Sequence, residues 1–210
     1  MSLQTLLDLS LDHDIKKTGL SEPRLRAAVP VGRQYVAFWR EYPDMLVDQL
    51  VEWGGGGNDL LHLYLYQRVF LRAGMRHKYM FATFPRAYSK SFLSVLILML
   101  RCVLYPGAKL FVTTGGKEQA SGITREKVDE LCKLVPGLKN EIDWRQGKGT
   151  TQSKDSVTYK FKNGSVLDIM AARQSSRGKR KTGGLVEEAI LIDGQLLNEV
   201  IIPRFWGAAA

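Results

Sequence analysis

Apolar residues near the N-terminus recur at helical spacings. Between residues 33 and 53 they are three or four positions apart, which predicts one or two short helices, with Pro43 interrupting the pattern. Four consecutive glycines at 54–57 end this pattern, because neither a helix nor a strand tolerates such a run. We therefore expect a helical N-terminal segment over residues 1–57 and a second domain over 58–210.

The pattern then changes to longer and more apolar segments. Asn58 is a candidate N-cap for a helix that ends near Ala73. Residues 79–84 are apolar and aromatic and are closed by Pro85, which predicts a short buried strand. Residues 91–105 are almost continuously apolar, and their length favours a buried helix over a strand.

Strand and helix patterns continue to alternate. Residues 109–114 predict a second strand, and residues 117–135 predict an amphipathic helix. Alternation with short connections is typical of an α/β domain, so we expect a mainly parallel sheet flanked by helices.

An antiparallel hairpin is predicted within this sheet. Apolar and polar residues alternate over 157–169 on either side of Asn163 and Gly164, a pair that strongly favours a tight turn. Another apolar segment at 185–192 predicts a strand that is continued or repeated.

Composition places the chain among globular proteins. It has 210 residues, 45% hydrophobic and 24% charged, which excludes a disordered, collagenous or coiled-coil chain. Cys102 and Cys132 lack metal-ligand spacing and are expected to be free, buried thiols. No secretory signal is recognisable and the longest apolar run is too short to cross a bilayer, so we expect an intracellular protein with no membrane partner.

The net charge of +9 points to an anionic partner such as nucleic acid or nucleotide. Five cations in one predicted loop, uninterrupted by an acid, account for more than half of it; without them the charge would be +4. They are Arg173, Arg177, Lys179, Arg180 and Lys181.

A candidate phosphate-binding loop joins the first predicted strand to the buried helix. Residues 84–91 match the template G-x-x-x-x-G-K-[ST] at Lys90 and Ser91, whereas Phe84 and Ser89 replace the glycines. Backbone N–H groups at the helix N-terminus would still face an anion, the lysine could reach phosphate oxygens and the serine could bind Mg²⁺. Arg86 adds a second cation. The alternative is an ordinary strand–turn–helix that Ser89 caps.

A nucleotide site of this kind also needs carboxylates at the end of a neighbouring strand. Glu187 and Glu188 end one apolar run, and Asp193 ends the next. Adjacent acids in a strand point to opposite faces, so the two glutamates would have different roles. The alternative is a solvated acidic turn.

These motifs resemble, in order and spacing, the large terminase subunits of tailed bacteriophages, whose ATPase drives DNA into a capsid. The similar features are Gln67, the run 86–91, the segment from Thr113-Thr114 to Gln119-Ala120, Arg177-Gly178, and the run 185–188. The resemblance implies a P-loop NTPase fold of the RecA-like (ASCE) type and Mg²⁺-dependent hydrolysis of ATP. Glu187 stands where aspartate is usual, and its longer side chain alters the reach to Mg²⁺.

The resemblance also implies a role for each matching residue. Glu188 would be the catalytic glutamate, assisted by Arg86 and Lys90, and Arg125 would be supplied to a neighbouring subunit, with Arg101 as its competitor. Ser91 and Glu187 would hold the metal, and Asp193 would lie outside the site. ATP would contact Gln67, Arg86, Ala87, Tyr88, Ser89, Lys90, Ser91 and Glu187.

The family's partners follow in the same way. We expect double-stranded DNA to contact Lys179, Arg180 and Lys181 through its phosphates, and we expect a homo-oligomeric ring, a portal on the procapsid and a small terminase subunit. The location would be the cytoplasm of an infected bacterium. Only 22 residues follow Glu188, too few for the family's nuclease domain, so an isolated ATPase portion is expected.

Two other functions remain open. A helicase-like, nucleic-acid-stimulated ATPase would share the glutamine and the modified phosphate loop, but it needs a second motor domain. A basic nucleic-acid-binding module without turnover would use the 177–181 segment alone. A nuclease built on Asp155, Asp168 and Glu187 is less favoured, because no spacing supports a shared metal.

Overall fold

A computed structural model describes residues 22–53, 61–114, 119–144, 150–152, 156–171 and 181–204. By its internal contacts the chain divides into two compact units. The first comprises Met1–Gln49 and His62–Met80, and the second comprises Leu50–Leu61 and Phe81–Ala210. The expected boundary near residue 57 therefore differs from this division, since the helix after residue 64 groups with the N-terminal helices.

The first unit is helical, as the N-terminal pattern predicts. Helix α1 spans Glu22–Glu41, α2 spans Pro43–Trp53 and α3 spans Leu65–Arg76. Pro43 opens α2, where its missing N–H costs nothing. The buried side chains of this unit are mainly apolar and come from all three helices: Val36, Trp39, Leu46, Val47, Leu71 and Met75.

A network of charges joins α2 to α3 within this unit. Asp44 is fully buried and accepts hydrogen bonds from Arg72 at 2.8 Å and from Arg68 at 3.3 Å, while Arg68 also pairs with Asp48 at 2.7 Å. Burial alone would raise the pKa of Asp44, but the hydrogen bonds from Arg72 and Arg68 outweigh burial and lower it. The network therefore compensates the buried carboxylate.

The second unit contains a mixed five-stranded sheet. Its strands are β1 (Lys109–Thr114), β2 (Thr150–Gln152), β3 (Ser156–Lys160), β4 (Val166–Ala171) and β5 (Gly183–Glu187), in the order β2-β3-β4-β1-β5. Strand β1 is parallel to both β4 and β5, whereas β3 is antiparallel to β2 and β4. The α/β class is confirmed, but half of the strand pairs are antiparallel, so the sheet is mixed rather than mainly parallel.

Besides the last residues of α2, the described part of this unit has three helices of six or more residues and, near its end, the short C-terminal turns Gly194–Leu196, Leu197–Ile201 and Ile202–Arg204. Helix α4 spans Lys90–Leu104, α5 spans Gln119–Leu134 and α6 spans Pro136–Glu141. Helix α4 contacts β1, β4, β5 and α5, and every residue from Phe92 to Leu104 except Arg101 is buried. The predicted buried helix and the predicted amphipathic helix are both confirmed.

The hairpin between β3 and β4 is confirmed where turn chemistry predicts it. Gly164 has a φ of 81°, which a side chain would disfavour, and its N–H donates to the carbonyl of Phe161 at 3.0 Å. Asn163 donates from its side-chain amide to the carbonyls of Cys102 and Val103 at 2.8 and 3.0 Å. The turn therefore also holds the end of α4.

The strand predicted over residues 79–84 is wrong, and the strand predicted over 185–192 is confirmed only in its first residues, which belong to β5. Residues 79–84 are irregular, and Tyr79 and Phe81 are 73% and 91% exposed. Residues Ala189–Leu191 form a single 3-10 turn in which Ile190 is 94% exposed. Aromatic and branched side chains favour a strand only where a neighbouring strand and a buried surface are available, and neither is present here among the described residues.

The face of the sheet opposite α4 is covered by the C-terminal turns. Phe111, Met170, Ile192 and Ile201 form a buried cluster, against which Val186, Leu196 and Leu197 pack. Asp193 accepts hydrogen bonds from the backbone N–H groups of residues 195 and 196 at 3.0 Å each and so caps the first of these turns.

Cys102 and Cys132 are free and buried, as expected. In the part of the chain that the structure describes, no helix has both the length and the apolar character needed to span a bilayer.

Candidate functional site

The candidate phosphate-binding loop leads directly into helix α4. Ala87 and Ser89 both adopt left-handed backbone conformations, with φ values of 66° and 52°. The carbonyl of Ser89 accepts the N–H of Leu93 at 2.9 Å, so Ser89 is the N-cap residue of α4, but its side chain makes no capping hydrogen bond. A conventional serine cap is therefore not what this residue provides.

The loop and the acidic pair converge at one place. The hydroxyl of Ser91, in the first turn of α4, donates a hydrogen bond to the Oε1 atom of Glu187, at the end of β5. These residues are 96 positions apart in the sequence. Their contact follows from the packing of α4 on β5, which brings the N-terminus of the helix to the carboxyl end of the strand.

Two cations shortly precede Ser91 in the sequence. Lys90 is half-buried at the start of α4, and Arg86 is exposed in the preceding loop. Among the described residues neither has an ion-pair partner. With the partial positive charge of the helix N-terminus, they make the loop suitable for an anion.

Glu188 differs from Glu187 in conformation and exposure. Glu187 is half-buried within β5, whereas Glu188 is exposed and left-handed, with a φ of 51°, and its backbone bends the chain into the 3-10 turn that follows. In the described ranges, Ala87, Ser89 and Glu188 are the three non-glycine residues with positive φ. All three belong to the candidate site, and strained residues of this kind cluster at functional sites.

Two comparisons of the sequence with known proteins give no match. No family model matches the chain, and a search of curated proteins finds no match. The resemblance given above therefore depends on the order and spacing of the chain's own motifs.

The side chains at the contact are suited to a hard divalent cation. A hydroxyl and a carboxylate supply oxygen ligands, which Mg²⁺ prefers, and it usually binds one or two carboxylates together with substrate phosphates. Within the described part of the chain, no group of three or more histidine, cysteine, aspartate or glutamate side chains could hold a metal. Ser91 and Glu187 thus fit a metal shared with a phosphate ligand rather than one enclosed by protein.

Gln67 lies in the helical unit, where both the oxygen and the nitrogen of its side-chain amide are hydrogen-bonded. Its Oε1 accepts the backbone N–H of Tyr64 at 2.9 Å, and its Nε2 donates to the hydroxyl of Tyr66 at 3.3 Å. The residue is 5% exposed. In this structure the glutamine stabilises the start of α3, a local role that the sequence analysis did not anticipate.

The two candidate arginines for a neighbouring subunit lie on different helices. Arg125 is exposed on α5 and hydrogen-bonds to Tyr159; burial raises the pKa of Tyr159 to about 12, while Arg125 acts in the opposite direction. Arg101 is half-buried in the last turn of α4, beside a groove of about 320 Å³. It is ten residues from Ser91, or about 15 Å along the helix axis.

Lys181 is buried, whereas a contact with DNA would require an exposed side chain. Its side chain is 5% exposed and its ammonium donates to the carboxylate of Asp168, which also accepts from the hydroxyl of Thr158 at 2.6 Å. The prediction that Lys181 contacts DNA is therefore wrong, because the residue is buried and paired. Lys179 and Arg180 lie outside the described residues.

The acids proposed for a nuclease do not come together. Asp168 is in register with Phe111 and Glu187 with Thr114, an odd number of positions apart along β1, so the two side chains lie on opposite faces of the sheet. Asp155 lies outside the described residues.

Proposed function

We propose that this chain is an Mg²⁺-dependent ATPase that powers the movement of double-stranded DNA into a viral procapsid, as the ATPase domain of a large terminase subunit of a tailed bacteriophage. The observation that carries the proposal is the hydrogen bond from Ser91 to Glu187. In a P-loop fold the hydroxyl residue of the loop and the acid at the strand end must lie at one metal ion. Ser91 and Glu187 are in contact although 96 positions separate them in the sequence.

The loop would bind the triphosphate by charge and by backbone N–H groups. Lys90 and Arg86 would neutralise the phosphates, and the first N–H groups of α4 would donate to their oxygens. The left-handed conformations of Ala87 and Ser89 shape this loop in place of the template's glycines. Tyr88 lies between them, exposed at 49%.

Ser91 and Glu187 would hold Mg²⁺, directly or through water. When bound, the metal supplies electrostatic stabilisation of the charge that develops on the phosphates. The hydrogen bond between the two residues fixes the hydroxyl and the carboxylate toward each other, so the donor pair is preorganised before any ligand binds.

Glu188 would orient the attacking water and accept its proton. The water oxygen forms a bond to the γ-phosphorus, the bond to the oxygen bridging the β- and γ-phosphates breaks, and ADP leaves with that electron pair. The Glu188 carboxylate is available for this role, because it is Glu187 whose carboxylate accepts the hydrogen bond from Ser91.

Movement of DNA would require the partners that the family resemblance implies. We assign the phosphate contacts to the basic segment without Lys181, which leaves Lys179 and Arg180 as the candidates. The small terminase subunit, the portal and a ring of copies, with Arg125 or Arg101 reaching a neighbour's ATP, belong to the same proposal, as does the cytoplasm of the infected bacterium.

Titration of the full chain with a non-hydrolysable ATP analogue and Mg²⁺, followed by steady-state ATPase assays, tests the proposal. Lys90→Ala should abolish measurable binding and turnover, whereas Lys162→Ala, an exposed lysine in the hairpin turn, should change neither. Glu188→Gln should keep the affinity and lower kcat by about 10²–10⁴-fold. Equal activity of the Lys90→Ala variant and the wild type would refute the proposed site.

DNA stimulation separates the motor from a module that only binds nucleic acid. We expect ATPase stimulation by double-stranded DNA that weakens steeply as salt rises. DNA binding without any nucleotide binding would favour the basic module instead.

A further inference from the structure

Thr113 has a buried hydroxyl group that makes no hydrogen bond among the described residues. The residue is 2% exposed, and among the described residues its Oγ1 has no hydrogen-bond partner. Its register neighbours are Met170 on β4 and Val186 on β5, both of which belong to the apolar layer beneath the C-terminal turns. Buried hydroxyls in native proteins are generally satisfied, so an unsatisfied one calls for a functional explanation.

The register places Thr113 next to the path that Glu188 would take as part of β5. Side chains alternate along a strand, so a residue two positions after Val186 lies on the same face as Val186 and Thr113. Adjacent strands lie about 4.8 Å apart, and two residues advance about 6.6 Å along a strand. The Cα atoms of positions 113 and 188 would therefore be about 8 Å apart. Glutamate and threonine side chains together span that distance with one hydrogen bond.

Glu188 does not follow this path in the present conformation. Its left-handed backbone ends β5, its side chain is exposed, and the turn that it starts leaves Ile190 and Leu191 94% and 61% exposed. A left-handed non-glycine residue is disfavoured, and so is the exposure of two large apolar side chains. The bend is thus a conformation that an extended alternative could replace.

We propose that Thr113 is a positioning residue for Glu188: in the extended conformation, the Thr113 hydroxyl donates to one carboxylate oxygen and leaves the other free for the attacking water. This inference rests on the proposed ATPase function. A single change of the Glu188 backbone to an extended conformation would give the Thr113 hydroxyl a hydrogen-bond acceptor and would also relieve the left-handed conformation of Glu188. The catalytic carboxylate would then sit at the end of β5, immediately after Glu187.

Two substitutions separate this role from a purely structural one. Thr113→Val keeps the shape and removes the hydroxyl, so it should preserve or raise the thermal stability while lowering kcat about tenfold or more, because a hydrogen bond to a charged group is lost in the transition state. Thr113→Ser removes a methyl group from the apolar layer, so it should lower the stability yet keep kcat close to that of the wild type.

The experiment measures kcat, the KM for ATP and the melting temperature of the wild type and both variants, each also in a Glu188→Gln background. We expect the KM to change less than about twofold, and we expect Thr113→Val to have no further effect once Glu188 is replaced. An unchanged or raised kcat for Thr113→Val, or equal losses for both variants, would overturn the inference while leaving the ATPase intact. A wild-type chain that neither binds nor hydrolyses ATP would overturn the proposed function and this inference together.

Discussion

Replacing Ser89 by glycine should stabilise the protein, although glycine usually weakens the interior of a helix. Ser89 has φ 52° and ψ 26°, a left-handed conformation that costs a residue with a Cβ atom about 1–2 kcal/mol. Glycine avoids this cost but loses more chain entropy on folding, about 0.5–1 kcal/mol. Taken between the middles of the two ranges, the net gain is about 0.75 kcal/mol, or a rise of about 1.5–3 °C in melting temperature for a chain of this size.

Thermal unfolding without nucleotide measures this difference, since bound ligand would itself raise the melting temperature. Ser89→Ala is the matched reference, because it keeps the Cβ atom and the Ser89 side chain makes no capping hydrogen bond. Ser94→Gly, inside the same helix, should instead lower the stability by about 1 kcal/mol. If Ser89→Gly melts at or below the temperature of Ser89→Ala, the left-handed conformation at this position is not the native one.

Three further predictions concern the second unit. Asp168→Ala should cost about 3–5 kcal/mol, because it leaves the buried ammonium of Lys181 uncompensated, and combining Asp168→Leu with Lys181→Met should recover most of that loss in urea unfolding. Burial raises the pKa of the Cys132 thiol from 9.0 to about 11, so the folded state favours the neutral thiol. The contribution of this thiol to the free energy of unfolding should be fully present below pH 9 and should be lost as the pH rises toward 11. The Cys132→Ala variant should lose less stability over the same pH range. Gly137→Ala should destabilise by about 1–3 kcal/mol, since its Cβ would lie 2.7 Å from the carbonyl oxygen of Leu50, and a melting temperature equal to that of the wild type would contradict the packing.

The elements that the sequence predicts correctly are those whose cause is local. The Asn163-Gly164 turn needs only a positive φ and a side-chain amide, both provided by the residues themselves. Helix α4 follows from a run of apolar residues too long for a strand. The contact of Ser91 with Glu187 is the exception, because it joins residues 96 positions apart and depends on how helix and strand pack.

The elements that the sequence does not predict depend on what lies beside them. Tyr79 and Phe81 have strand-like character, but no described strand pairs with their segment, so the pattern alone misleads. The position of Lys181 is equally non-local: a lysine at the end of a basic run suggests a solvated surface, whereas its burial depends on Asp168, a partner on β4 two strands away in the sheet.

The absence of the template's glycines from the candidate loop has a physical explanation in the helix that follows. A left-handed Ala87 and Ser89 persist only where the surrounding structure determines the backbone more strongly than local preference does. Helix α4 provides that constraint, because nearly all of its residues are buried and its first turn is tied to β5 through Ser91 and Glu187. Shifting the loop toward a relaxed conformation would displace the start of α4 and break that tie. The loop can therefore keep its shape without glycine only while the packing of α4 is intact. If the loop binds nucleotide as proposed, substitutions deep in this helix should weaken that binding without touching the site.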